Sequence, residues 1–127
     1  ARAAHTARHR LFGAPDASTP GPSLRDAPGP HLLGSQAQAL ADLPGHGVPL
    51  GLGLTEAMVR HSARQEWAVT VEDMLARRWR VLFLDSRLAE QMAPRVAQLL
   101  HEETGLDPQL QHFVDLCQRY RWPASAP

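Results

Sequence analysis

The chain reads as an all-α protein: a small bundle of about five helices with an extended Pro/Gly-rich N-terminal arm. Three observations predict this. From Leu54 onward apolar residues recur at helical spacing. A capping residue stands before most of these stripes. The punctuating residues lie elsewhere, since the first 54 residues hold 8 of the 9 glycines and 7 of the 11 prolines. The expected organisation is an arm or linker over residues 1–32 and a helical domain over residues 33–122.

From Gly13 to Pro30 the composition is that of a linker or extended arm rather than a helix. A short helix is expected over residues 35–43, with Ser35 as cap, Ala37, Leu40 and Ala41 facing inward, and Pro44-Gly45 as the stop. The next is expected over 55–67. Thr55 stands at the N-cap position, and Glu56 favours the positive end of the helix dipole. Val59, Ala63 and Trp67 form its stripe. Thr70 opens a helix expected over 70–82, where Thr70 and Asp73 have the spacing of a capping box. Its stripe is Val71, Met74, Leu75, Arg78, Trp79 and Leu82. Asp73 and Arg77 are four apart, acid first, the favourable order for a surface pair.

Asp85 or Ser86 can cap a helix over 86–104, with a stripe through Leu88, Ala89, Met92, Val96, Leu99 and Leu100. Pro94 lies inside that pattern and predicts a kink or break just before it. Gly105 is a natural C-terminal stop. Asp107-Pro108 signals a further start, giving a helix over 107–121 on Leu110, Phe113, Val114, Cys117 and Tyr120.

Composition narrows the function classes. The 13 basic and 13 acidic residues cancel, which argues against a dedicated nucleic-acid surface. All 13 basic residues are arginine, a bias expected of a GC-rich genome. One cysteine, Cys117, rules out an internal disulfide, and its apolar stripe suggests a buried structural thiol. No apolar run is long enough to span a bilayer, and no signal peptide is recognisable. The start at Ala-Arg fits an excised fragment.

The candidate chemistry is sparse. Gly51-Leu52-Gly53 lacks the third glycine of a dinucleotide loop and follows a proline, so a simple turn is the better reading. The seven histidines form no HExxH and no Cys/His pairing. His101, Glu102 and Glu103 are adjacent and expected on different helix faces. No GxSxG is present. Arg77, Arg78 and Arg80 around Trp79 form a basic cluster, read as a helix face sharing ion pairs with Glu66, Glu72 and Asp73. Glu66 lies three beyond Ala63 and seven beyond Val59, and Arg78 four beyond Met74. The Ala68-Val69 link forces a close corner, so Glu66 is expected to pair with Arg78, or with Arg77 if the helix is rotated. The pair would be structural, not catalytic.

Several segments resemble one family. Leu33-Gly34-Ser35-Gln36-Ala37-Gln38-Ala39-Leu40, the LTEAxVR run from Leu54 to Arg60 and Arg64-Gln65-Glu66 come first. TVEDxLxRR, intact from Thr70 to Arg78, is the most specific. Phe83-Leu84-Asp85 and the APRVAxLLxEExG run from Ala93 to Gly105 follow, and His5 to Pro15 is similar to a connecting arm. Together they resemble the C-terminal helical domain of FAD-dependent glycerol-3-phosphate dehydrogenases and alpha-glycerophosphate oxidases. The departures are Trp67 and Trp79, expected to add bulk between the first two main helices.

The resemblance implies a parent enzyme that oxidises sn-glycerol 3-phosphate to dihydroxyacetone phosphate, reducing FAD and passing electrons to quinone. It implies a cytoplasmic protein, its parent peripheral at the cytoplasmic face of the inner membrane. The flavin and substrate groups belong to the N-terminal body, so no catalytic, cofactor-binding or metal residue is expected here. The expected partners are that body and a possible second copy, with no nucleic acid. The competing class is a stand-alone helical module that binds another protein. A GxGxxG strand–turn–helix far upstream in the reading frame would separate the two.

Overall fold

The computed structural model describes residues 25–121 and, ahead of them, Thr6, His9, Leu11, Gly13 and Ala14. Most of the arm expected over residues 1–32 lies outside the described residues, as does Trp122. The described residues form an all-α bundle with one minimal hairpin. The hairpin pairs β1 (Pro49–Gly51) antiparallel with β2 (Leu54–Thr55). It leads directly into helix α1 (Glu56–Glu66). A π-helical segment, Asp73–Arg78, and a single turn, α2 (Val81–Leu84), come next. Helix α3 (Ser86–Thr104) and helix α4 (Leu110–Arg119) complete the chain. Helix α3 is central, since α1, α2 and α4 all pack on it.

The reasons for α1 and α3 are local. The Thr55 hydroxyl accepts the Met58 amide at 3.4 Å, and Asp85 accepts the amides of Arg87 and Leu88 at 3.0 Å each. Each cap satisfies donors that have no partner inside the helix. Gly105 ends α3 in the left-handed region (φ 70°), with its amide on the His101 carbonyl. Met58 and Val59 of α1, Met74 and Leu75, Val81 and Leu82, Val96, Leu99 and Leu100 of α3, and Phe113 and Cys117 of α4 share one buried core.

The structure departs from the sequence expectations at five places. The segment expected as a helix over 35–43 is a 3-10 helical segment, Pro30–Asp42, broken at Gly34. Gly34 sits at φ 55°, ψ −129°, and a Cβ there would lie 1.8 Å from the Gly13 carbonyl oxygen. Only glycine fits both constraints. Leu40 is its one buried residue, while Ala41 is exposed.

The helix expected over 70–82 is interrupted. Its backbone widens to the π register, with the Trp79 amide on the Met74 carbonyl, and then turns through left-handed Arg80 (φ 56°). Trp67, expected on the buried stripe between helices, is 86% exposed. Helix α1 ends at Glu66, and Trp67 adopts φ 57°, ψ 35°, which takes its indole off the stripe. Trp79 is half-buried, and its indole N–H donates to the Leu52 carbonyl at 2.8 Å.

Pro94 does not break α3. It is exposed, and Met92, Ala93, Val96 and Ala97 on either side are buried, so packing outweighs the one lost amide bond. Asp107 does not cap α4. Its carboxylate takes the Gln109 amide at 2.9 Å, Gln109 is left-handed (φ 54°), and the helix starts at Leu110. The stripe of α4 is buried at Phe113 and Cys117 and exposed at Tyr120.

Candidate functional site

The polar side chains gather in two clusters. The first is the corner between α1 and the π-helical segment. Thr70 and Asp73 form a reciprocal capping box: the Thr70 hydroxyl accepts the Asp73 amide at 3.1 Å, and Asp73 accepts the amides of Thr70 at 3.0 Å and Val69 at 3.3 Å. Burial alone would raise the Asp73 carboxyl, but the Thr70 and Val69 bonds outweigh it and hold it below the usual range. Arg77 donates to Asp73 at 3.1 Å and to Glu72 at 2.8 Å. Arg78 reaches back to α1. Its Nε is 3.3 Å from Glu66 Oε2, Nη1 donates to the Asp73 carbonyl at 3.2 Å, and Nη2 donates to the Glu66 carbonyl. The structure thus brings Glu66 and Arg78 together, and Asp73 and Arg77 together, with Glu66 and Arg77 apart.

The second cluster crosses from α1 to α3. Glu56 takes a bidentate bond from Arg95, Nε to Oε1 at 2.7 Å and Nη2 to Oε2 at 2.9 Å. Arg60 donates to Glu103 at 2.6 Å and to Glu102 at 2.7 Å, and Arg64 forks onto Glu103 at 2.6 and 2.9 Å. The Arg95 bond holds the Glu56 carboxyl below the usual range, the Arg60 bond does so for Glu102, and the Arg64 bond for Glu103. Glu102 and Glu103, expected on different faces, converge on one guanidinium because the long arginine fork spans both. His101 turns away to the Leu106 carbonyl, 3.0 Å from Nδ1.

This cross-helix cluster escaped the sequence reading. A signal was present. Glu56, Arg60 and Arg64 follow an i, i+4 row on α1, and Arg95, Gln98 and Glu102 follow the matching row on α3. Which rows face each other depends on packing.

Between the 3-10 segment and α1 runs a shallow groove of about 200 Å³, with Leu33, Met58 and Met74 as its apolar wall and Glu66, Arg78 and Trp79 at its polar end. Nearby, His61 is buried and its Nε2 has no hydrogen-bond partner among the described residues. Among the described residues no group of three or more His, Cys, Asp or Glu could hold a metal ion. No described helix is long and apolar enough to cross a membrane. Gly51-Leu52-Gly53 is the hairpin turn, and a Cβ on Gly53 (φ 76°) would lie 1.7 Å from the Pro28 carbonyl oxygen. These glycines admit protein packing.

Fold and clusters together define a small all-α domain whose charged side chains fasten one helix to another. Residues 32–111 match the family described as the C-terminal domain of alpha-glycerophosphate oxidase. The chain belongs to this family. No curated protein and no solved structure matches it. The matched span covers both ionic clusters, the hairpin and all of α1 and α3.

Proposed function

We propose that the chain is the accessory C-terminal domain of an FAD-dependent enzyme that oxidises sn-glycerol 3-phosphate to dihydroxyacetone phosphate. The electrons pass to FAD and then to quinone. The domain packs on the flavin body of its own polypeptide and performs no chemistry itself. The family match over residues 32–111 carries this reading. Two features of the chain support the division of labour. The Gly51-Leu52-Gly53 turn joins two strands, and the space above Gly53 is filled by Pro28, so the turn does not fit a pyrophosphate cradle. The carboxylates of Glu56, Asp73, Glu102 and Glu103 are each engaged by arginine or by capping groups. On this reading FAD and substrate belong to the remainder of the enzyme, at the cytoplasmic face of the membrane.

The test compares two proteins. The full-length polypeptide should purify yellow and reduce an artificial quinone in the presence of glycerol 3-phosphate. The 127-residue chain should purify colourless and do neither. A yellow 127-residue chain, or a full-length protein without flavin, would overturn the proposal. The latter would favour a helical protein-interaction module.

A further inference from the structure

We propose that Phe83, Leu84 and Tyr120, bordered by Arg80 and Arg87, form the surface on which the flavin body docks. The occupant is an acidic segment of that body that also presents an apolar side chain. The proposal rests on the reading of the chain as the accessory domain of a flavoenzyme.

The first reason is helix α2 itself. Its sequence is Val-Leu-Phe-Leu, apolar on every side. Val81 and Leu82 are buried against the core, while Phe83 is 50% and Leu84 72% exposed. A helix apolar all round belongs in an environment that covers it all round. Among the described residues nothing supplies the second cover. The second reason is that the outer side is built rather than ragged. The Phe83 ring stands edge-on to Tyr120, with centroids 5.4 Å apart and planes at 78°. Aromatic pairs favour this geometry, and it fixes both rings as a wall. Leu84, Arg87 and Tyr120 line the concavity beside them, which encloses about 340 Å³. A fixed aromatic wall beside a hollow is the shape that accepts a protruding side chain.

The third reason is charge. Arg60, Arg64, Arg77, Arg78, Arg95 and Arg121 all sit in ion pairs. Among the described residues Arg80, Arg87 and Arg119 have no carboxylate partner, and the first two flank α2. The Arg80 guanidinium lies 5.8 Å from the centre of the Phe83 ring. The nearby acids are occupied: Asp85 caps α3, and Glu90 pairs with Arg121. Asp85 also lines the hollow, so with Arg80 and Arg87 the face keeps a net positive charge beside its exposed apolar side chains, in a chain with no formal net charge. Its complement is an apolar side chain flanked by carboxylates. A membrane surface fits less well, because anionic lipid is held by clusters of about 4–8 basic residues, and the surface here is concave.

The test is hydroxyl-radical footprinting of the full-length protein, with the same residues in the urea-unfolded polypeptide as the reference. Flavin content and glycerol 3-phosphate turnover are measured on the same preparation. In an active yellow enzyme, Phe83, Leu84 and Tyr120 should be labelled several-fold more slowly than their intrinsic reactivity and their exposure in this domain predict. The double variant R80E/R87E should keep its flavin and restore labelling at Leu84, and L84D should restore it at Phe83 and Tyr120. Full labelling of this face in an active wild-type enzyme overturns the docking proposal and leaves the family reading intact. Protection that vanishes on dilution assigns the face to a second copy. Protection seen only with phosphatidylglycerol vesicles assigns it to the membrane. Either result overturns the proposal, as does protection unaffected by the charge reversal. A colourless, inactive full-length protein overturns the accessory-domain reading and this proposal with it.

Discussion

Replacing Arg78 should cost far more than replacing Glu66, although the two side chains form one ion pair. The asymmetry follows from the bond pattern. The guanidinium touches the Glu66 carboxylate through Nε at 3.3 Å, but its other two bonds go to the carbonyls of Glu66 and Asp73. Glu66 O belongs to the last turn of α1, where carbonyls have no helical amide to accept. Glu66→Gln leaves both carbonyl bonds in place and weakens a pair whose side chains are 26% and 34% exposed. It should cost under about 1 kcal/mol. Arg78→Met removes all three bonds. With each charge-assisted carbonyl bond contributing about 1–2 kcal/mol, the loss should be about 2–4 kcal/mol. For a domain of this size that lowers the melting temperature by roughly 10–20 °C, against about 5 °C or less for Glu66→Gln. Arg78→Lys keeps the charge but not the fork and should behave more like Met than like wild type. Thermal melts followed by far-UV circular dichroism decide the matter, with the double variant closing the cycle. Equal losses in the two single variants, with no further loss in the double, would refute the reasoning. The corner would then be held by the carboxylate alone.

Three further outcomes are expected. Trp67→Gly should be neutral or stabilising by up to about 1 kcal/mol, because glycine adopts the left-handed φ of 57° without the cost borne by an L side chain; a urea midpoint clearly below wild type would show that the exposed indole makes contacts of its own. The Cys117 thiol, pushed up to about 11 by burial, should react with a thiol reagent only at the rate of unfolding; because the folded value is the higher, its contribution to stability holds below the ordinary thiol range and is lost as pH rises toward 11. Immediate stoichiometric labelling in native buffer would contradict that burial. Glu56, Asp73, Glu102 and Glu103 are all held below their usual values, so their contribution is complete above the ordinary carboxylate range and is lost as pH falls through their folded values. Urea midpoints should therefore fall between pH 5 and pH 3, less steeply for Glu103→Gln, and a midpoint flat across that range would exclude the ionic clusters as a source of stability.

The helices legible in the sequence are those with ordinary grammar. Helix α1 starts at Thr55 and α3 runs from its Asp85 cap to Gly105, because cap, stripe and stop each follow from local chemistry. The corners were not legible, and they share a cause. Leu52, Trp67, Arg80 and Gln109 all take positive φ, and none is a glycine or an asparagine. No local preference assigns such residues to the left-handed region. All four side chains are exposed, so it is the course of the backbone and not their own burial that places them there, and the break at Arg80 and the late start of α4 were hidden. The exposure of Trp67 was hidden for the same reason.

The ionic clusters divide along the same line. Pairs within one segment, such as Asp73–Arg77, follow from spacing. The bonds from Arg60 and Arg64 to Glu103 join residues about forty positions apart, and their existence depends on which face of α1 meets α3. The same dependence reaches the docking surface. Four consecutive apolar residues, Val81 to Leu84, could be wholly interior or half exposed. The left-handed turn at Arg80 sets the orientation. It sends Val81 and Leu82 into the core and leaves Phe83 and Leu84 facing outward. A strained corner thereby decides which half of an apolar run is offered to a partner. Straightening it should bury a different pair of side chains and remove that surface.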